Sequence, residues 1–279
     1  MSVRSQAERL LEQAVETLQA GGVASPEVDA ELLLSHVCGV PRAMVRRAPV
    51  QEMQRRTFLE MIDARARRVP LQHITGTAAF RYVDVEVGPG VFVPRPETEV
   101  MTGWVIEQVQ HLEAPVVVEL CAGSGAISLS IVHEVPQARV HAVELDEGAM
   151  EWAFRNLAGT GVDLRQGDMA GAFPELDGAV DAVVANPPYI PLDAWESVAP
   201  EARDHDPALA LWSGLDGLDA MRVVEEVSWR LLRRGGVLAV EHADAQGESA
   251  PAVFAERWSG VRDRTDLAGR PRFVTAHRP

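Results

Sequence analysis

Apolar residues recur at helical spacing through the first 70 positions. Val3, Leu10, Leu11, Ala14, Val15 and Leu18 form one stripe, which Gly21-Gly22 ends. Ser25-Pro26 reads as an N-cap followed by proline at the first helical position, opening a helix through Leu32, Leu33, Leu34 and Val37. A short helix is expected from Arg42 to Arg47. A longer one is expected from Gln51 to Arg68, with Met53, Phe58, Met61 and Ile62 facing inward.

The period shortens after Pro70. Phe80, Tyr82, Val83, Val85 and Val87 alternate between Thr77 and Val93, and Gly88-Pro89-Gly90 forms a turn, which predicts a β-hairpin. A helix carrying Val100, Trp104, Val105 and Val109 follows. Beyond Pro115, buried strand runs alternate with helices. The strands are Val116 to Leu120, Val140 to Glu144, a short one around Val162 to Arg165, Ala179 to Ala185 and Gly236 to Glu241. The helices between them are Ala126 to His133, Glu147 to Leu157 and Gly217 to Leu232. This order predicts an α/β fold with a Rossmann-like, doubly wound parallel sheet. Three regions are expected: an N-terminal helical bundle over 1–73, a β-hairpin linker over 74–96 and the sheet domain over 97–279.

Composition narrows the function. The 279 residues carry 26 basic and 41 acidic side chains, a formal charge of −15, and every basic residue is Arg. Such an acidic chain is unsuited to gripping nucleic acid by phosphate neutralisation, or to lying on anionic membrane. The absence of Lys excludes Schiff-base and P-loop lysine chemistry. Cys38 and Cys121 are too few for a disulfide framework or a Cys-based zinc site, so no metal is expected. The first residues lack a signal-peptide apolar region, and no run approaches the roughly 18 apolar residues of a membrane span. A cytoplasmic monomer is the expectation. The charge is uneven: up to Thr75 there are 10 Arg and 9 acids, and afterwards 16 Arg and 32 acids. Eight Arg lie between Arg42 and Arg68, either a solvated helix face or a patch that docks an acidic partner or RNA.

Two stretches carry chemistry. Glu119 to Ala126 (Glu-Leu-Cys-Ala-Gly-Ser-Gly-Ala) turns from strand to helix, where glycines admit a ligand close to the backbone and the helix N-terminus offers free N–H groups. A tight βα turn would use the same residues. Glu144 strengthens the ligand reading, because it ends the next strand 19 residues beyond Gly125, where a carboxylate can accept from both ribose hydroxyls. The dinucleotide fingerprint is incomplete, with Ser128 where a third glycine belongs. That favours a nucleoside without pyrophosphate, S-adenosylmethionine, over NAD. Asp168 is placed to reach the adenine amino group.

The second stretch, Asn186-Pro187-Pro188-Tyr189, follows a buried strand at the edge where α/β proteins bind ligands. The prolines stiffen the loop and free its carbonyls. The Asn186 side-chain oxygen and the Pro187 carbonyl can accept both hydrogens of a planar NH₂ group, and the Tyr189 ring can cover it. Holding a conjugated, weakly nucleophilic nitrogen in line with a sulfonium methyl is catalysis by orientation and charge stabilisation.

These residues resemble the S-adenosylmethionine-dependent methyltransferases that act on planar nitrogens. Further segments are similar to one branch, the HemK/PrmC family of peptide chain release factor glutamine N5-methyltransferases. They are Pro70 to Gly76, Phe80, Val93 to Glu99, Asp206-Pro207 with Ala210-Leu211, Gly214, Asp216-Gly217-Leu218, Gly235-Gly236 through His242, Gln246 to Glu248, and Asp266 to Arg270 with Arg272. The resemblance spans essentially the whole chain. It implies a class I methyltransferase domain, S-adenosyl-L-methionine as cofactor, and the glutamine of the Gly-Gly-Gln motif of class I release factors as substrate. The helical region would recognise that partner, with the Arg42 to Arg68 block as candidate contact. The resemblance places Cys121, Ala122, Gly123, Ser124 and Gly125 along the methionine moiety and ribose, counts Glu119 among the cofactor-binding residues, and puts Met169 beside the adenine. Asn186, Pro187, Pro188 and Tyr189 hold the substrate amide in this reading, and Asn186 also borders the cofactor. Phe92, Arg95, Pro96, Glu97 and Thr98 shape the pocket wall. Glu119 for the usual Asp, Cys121-Ala122 for Gly-Thr, and Met169 for an aromatic are departures. His73 and His242 are expected to be structural.

Adenine N6 or a ribosomal-protein glutamine could use the same loop, and a cofactor-binding adaptor without turnover is a rival of another class. The missing basic target domain speaks against adenine. The intact Asn186 and Tyr189 speak against the adaptor.

Overall fold

The computed structural model describes residues 5–279, so Val3 lies outside the described residues. Four helices open the chain: α1 (Gln6–Ala20), α2 (Pro26–Cys38), α3 (Glu52–Ala66) and α4 (Leu71–Thr75), with a 3₁₀ turn at Arg42–Arg47. Strands β1 (Thr77–Phe80) and β2 (Val83–Glu86) pair as a two-stranded sheet, and α5 (Pro96–Val109) follows. Then come β3 (Val116–Leu120), α6 (Ala126–Glu134), β4 (Arg139–Glu144), α7 (Glu147–Leu157), β5 (Asp163–Gln166) and β6 (Val180–Ala185). Two short helices, α8 (Pro200–His205) and α9 (Ala208–Leu211), precede α10 (Asp219–Leu231), β7 (Leu232–Glu241), α11 (Ser249–Val253), β8 (Ser259–Thr265) and β9 (Pro271–His277).

The chain forms two compact units, one of residues 1–77 with 199–205 and one of residues 78–198 with 206–279. In the first, Leu10, Leu11, Leu18, Leu33, Leu34, Phe58 and Ile62 form the core, each full burial contributing about 1.5–3 kcal/mol. Ser5 and Glu8 cap α1 reciprocally. Two expectations need correction here. Met53 is 72% exposed, because it stands in the first turn of α3 on the face opposite Phe58 and Ile62. Ser25 makes no side-chain cap, so the start of α2 rests on Pro26. The basic block is also less available than its composition suggests. Arg42 and Arg46 share Glu31, Arg55 and Arg56 pair with Glu52 and Glu60, and Arg65 and Arg68 meet on Glu201 of α8.

The second unit holds a seven-stranded sheet in the order β5-β4-β3-β6-β7-β9-β8. β3 to β7 run parallel, and β9 and β8 close one edge antiparallel. Valine runs such as Val116 to Val118 and Val183-Val184 fit strands covered on both faces. The hairpin residues read as a linker join this unit's core: Ala78, Phe80, Val85, Val87, Val91 and Val93 are all buried. Tyr82, placed in the alternating pattern, is exposed at 73% because it sits in the turn between β1 and β2.

Register decides what shares the carboxyl edge. Leu120 of β3 lies level with Val143 of β4 and Ala185 of β6, and Ala185 lies level with Val240 of β7. The residues one step further along, Cys121, Glu144, Asn186 and Glu241, therefore leave the sheet in a single row. β3 is also the point from which the chain first builds outward to β4 and β5 and then returns to β6, the switch point where such sheets bind ligands.

Candidate active site

The turn after β3 is shaped by positive φ angles at Cys121 (60°), Gly123 (55°) and Gly125 (78°). Gly125 also permits close packing, since a Cβ there would lie 3.0 Å from Leu157. Around Gly123 the space is open, so its role is conformational and leaves the backbone approachable. Asn156 on α7 holds the turn by donating to the Ser124 carbonyl at 2.9 Å. Ala122, itself buried, donates to the Val143 carbonyl at 3.0 Å.

Glu144 closes the turn from β4. Its Oε2 accepts from the Gly123 N–H at 2.7 Å and its Oε1 from the Asp146 N–H at 2.8 Å. Each oxygen keeps a second lone pair, the arrangement needed to accept from two vicinal hydroxyls. Burial pushes its carboxyl above the ordinary range, and the backbone N–H groups partly offset that. Asp168 is exposed and accepts from the Ala170 N–H at 2.9 Å, capping a short 3₁₀ turn that begins at Met169. Met169 Sδ lies 3.6 Å from Cys121 Sγ, so two departures from the family pattern touch each other. Burial pushes the Cys121 thiol well up, which leaves it protonated.

Glu119 stands apart from the turn and from Glu144, against the expectation that it binds the cofactor. It is 1% exposed and turned to α6, where Oε2 accepts from the N–H of Ser128 at 2.9 Å and from its hydroxyl. A carboxyl at a helix N-terminus suits the dipole there. Burial raises it to about 8.

On the other side of β3, the loop after β6 carries the proline pair. Pro187 is buried, and Asn186, Pro188 and Tyr189 are half-buried. Asn186 Nδ2 donates to Thr98 Oγ1 at 3.3 Å, and Thr98 donates to Glu241 Oε2 at 2.6 Å. The Tyr189 hydroxyl donates to Glu241 Oε1 at 3.4 Å. The Tyr189 carbonyl accepts from Gln246 Nε2 at 3.1 Å. Thr98 arrives on α5, whose first turn is Pro96, Glu97 and Thr98. Just before it, Arg95 stacks over Phe92 at 4.8 Å and donates to the buried Asp206 at 2.9 Å. Burial raises Asp206 to about 6 despite that guanidinium.

The sequence-predicted residues thus fall into two groups on one sheet edge, a glycine-rich turn with Glu144 and a stiff loop with its α5 wall. Glu241, Gln246 and Asp206 had been matched only as parts of family segments, with no role. The available signal for Glu241 was that it ends a buried strand, as Glu144 does. His242 is fully buried between the Ala243 carbonyl and Asp263, a structural position. A separate groove of about 650 Å³, lined by Arg81, Glu99, Trp104 and Arg264 among others, holds none of these residues. Among the described residues no cluster of His, Cys, Asp and Glu could hold a metal, and no helix is long and apolar enough to cross a membrane.

Comparison with known proteins bears on the same two regions. Residues 9–76 match the family model described as PrmC N-terminal domain, and residues 117–205 match that of a methyltransferase domain. The release factor glutamine methyltransferase of Streptomyces coelicolor is 54% identical over 270 residues, covering 95% of this chain and 96% of its own. That of Mycolicibacterium smegmatis is 46% identical, covering 96% of each. A 4-amino-L-phenylalanine/4-methylamino-L-phenylalanine methyltransferase of Streptomyces pristinaespiralis is 41% identical, over 91% of this chain and 89% of its own.

Proposed function

The chain belongs to the release factor glutamine methyltransferase family, and on that premise we propose that it methylates the side-chain amide nitrogen of the glutamine in the Gly-Gly-Gln motif of class I release factors, in the cytoplasm and as a monomer. The observation that carries the reading is the disposition of Asn186, whose Nδ2 is engaged by Thr98 while its Oδ1 stays available to accept from a substrate NH₂.

The residues present fit S-adenosyl-L-methionine. Glu144 keeps one lone pair on each oxygen for the ribose hydroxyls, the space around Gly123 is open, and Asp168 and Met169 border the same end of the sheet. When bound, that cofactor supplies an electrophilic methyl group on a sulfonium. This chain's part is positional. Asn186 Oδ1 and the Pro187 carbonyl accept the two amide hydrogens, the prolines keep both acceptors from drifting, and the Tyr189 ring covers the planar group. Drawing on both N–H bonds steers the nitrogen's electron density outward as the methyl arrives, and the proton leaves the nitrogen once transfer has made it acidic. Neither Cys121, held as the thiol, nor buried His242 is needed as nucleophile or base.

A second planar amine has specific support, because one relative at 41% identity is named for an arylamine substrate. Both are conjugated NH₂ groups. Purified class I release factor, incubated with this protein and cofactor, should gain one methyl on the Gly-Gly-Gln peptide, and 4-aminophenylalanine should gain none. Methylation of the arylamine without that of the release factor would overturn the assignment.

A further inference from the structure

Glu241 touches Tyr189 of the substrate loop directly and reaches Asn186 only through Thr98 of α5. Its Oε2 accepts from Thr98 at 2.6 Å, and its Oε1 accepts from the Tyr189 hydroxyl at 3.4 Å. It is 1% exposed and level in register with Asn186. We infer that Glu241 is a positioning residue that sets the donor–acceptor polarity of the substrate loop, acting on Asn186 through Thr98. This rests on the function proposed above.

An ionised carboxylate only accepts, so the single hydroxyl proton of Thr98 must point at Glu241. The Thr98 oxygen is then left with lone pairs alone, and the neighbouring Asn186 must present its NH₂. Its carbonyl oxygen is thereby forced toward the substrate, where an acceptor is required. Without the anion, the Thr98 hydroxyl is free to donate to Asn186 instead. The amide can then turn over and set NH₂ against NH₂, two donors facing each other. Tyr189 is governed in the same way, its hydroxyl proton committed to Glu241 and its ring angle held.

Glu241 is surrounded by Thr98 and Glu97 from α5, Tyr189 from the loop after β6, and Arg272 from β9. Burial is the largest influence and raises its carboxyl to about 7, with Glu97 adding to the rise and Thr98, Arg272 and Tyr189 opposing it. The relay should therefore weaken as pH falls through that value. For stability the sign is opposite. A carboxyl raised from 4.5 contributes stability present below about 4.5 and lost as pH rises through about 7. At pH above that point the folded chain carries the buried anion at a cost, so Glu241→Gln should melt no lower than the wild type. A merely structural contact would lower the melting temperature.

The test combines turnover with a readout that needs none. The chain contains only two asparagines, Asn156 and Asn186, so [¹⁵N]asparagine labelling resolves both side-chain amides. In the wild type the Asn186 NH₂ resonances should move with pH at the Glu241 midpoint, and in Glu241→Gln they should not. On release factor, Glu241→Gln should lose about a hundredfold in kcat with cofactor affinity within about twofold. Thr98→Val should match it, Thr98→Ser should stay near wild type, and the Glu241→Gln, Thr98→Val double variant should be no worse than either single one. Retained kcat in Glu241→Gln, additive losses in the double variant, or Asn186 resonances indifferent to Glu241 would overturn the inference. Wild-type protein that fails to methylate release factor, yet shows the coupled titration, would instead overturn the substrate assignment and leave the relay standing.

Discussion

Ser128 gives Glu119 two hydrogen bonds on one oxygen, its backbone N–H at 2.9 Å and its hydroxyl, both reaching Oε2. Position 128 is where a dinucleotide fingerprint has its third glycine, and Glu119 is where the family commonly has Asp. The two departures form one contact: the longer acid reaches the third residue of α6, and the serine supplies a donor that glycine lacks. Ser128→Gly should therefore destabilise the chain by about 1–3 kcal/mol beyond the helix-propensity cost, because a buried carboxyl loses a partner. Ser128→Ala provides the comparison, and urea unfolding measures both. A glycine variant as stable as wild type would refute the pairing.

The same carboxyl makes a prediction about pH. Burial raises Glu119 from 4.5 to about 8, so its contribution to stability is present below about 4.5 and lost as pH rises through about 8. Glu119→Gln keeps the neutral form at every pH. Thermal melts from about pH 6 to 9 should show the wild type losing more stability than Glu119→Gln over that window. Parallel curves would show that Glu119 is not the group responsible.

Cys121 occupies a glycine's conformation, with φ at 60°. Left-handed backbone costs a residue with a Cβ about 1–2 kcal/mol, and the thiol's 3.6 Å contact with Met169 Sδ is a weak return. Cys121→Gly should raise the melting temperature by about 2–4 °C. Cys121→Ala, which keeps the Cβ, should not. Scanning calorimetry distinguishes them, and a glycine variant that melts no higher than the alanine one would contradict the strain.

How much of this the sequence made legible depends on range. β3, β4 and β6 are runs of buried valine or alanine with clear ends, and Gly125 to Glu144 is a spacing that can be counted along one chain. Asn186 to Tyr189 is informative because its meaning is local, two fixed φ angles and freed carbonyls. Met53 departs from the expected inward face because a helical stripe in the first turn of α3 can be continued on either side. β8 carried no pattern at all: it is an edge strand whose alternate residues are mostly exposed, so no apolar rhythm marks it. Glu241 carries no local signal because its partner Thr98 lies 143 residues away, and only the fold brings them together. The pairing of the Arg42 to Arg68 block is hidden from the sequence in the same way. Its composition is basic, but Glu31 and Glu201, which neutralise four of its arginines, lie outside it.

Gly217 is held against the loop after β6 from behind. Its φ is 75°, and a Cβ there would lie 2.3 Å from the Tyr189 carbonyl oxygen and 2.7 Å from Gln246 Nε2, which donates to that carbonyl. Neither can yield without moving the loop. Gly217→Ala should lower kcat by about tenfold or more, while affinity for S-adenosylhomocysteine, whose proposed site lies after β3 and β4, changes little. Gln246→Met, which keeps the volume and removes the donor, should lower kcat in the same direction. Steady-state kinetics with calorimetry separates the two quantities, and equal losses in both would argue for general misfolding.

Glu201 is shared by two guanidiniums. It lies on α8, in the unit of the N-terminal helices, and accepts from Arg65 Nη2 at 2.9 Å and from Arg68 Nη2 at 2.6 Å. Burial alone would raise its carboxyl, but the Arg68 and Arg65 guanidiniums outweigh it and bring the group to about 2. Arg65 is itself buried and otherwise pairs with Asp29 at 2.7 Å. Glu201→Ala should therefore cost about 3 kcal/mol, because a buried guanidinium is left underpaired. A carboxyl lowered from 4.5 contributes stability present above that value and lost as pH falls through about 2. The gap between wild type and Glu201→Gln should accordingly be full at pH 7 and shrink on acidification. Urea unfolding at the two extremes checks this, and hydrogen exchange locates it, since the 199–205 peptide should lose protection in the variant. An unchanged gap at low pH, or undiminished protection, would show that α8 is held by its apolar contacts rather than by Glu201.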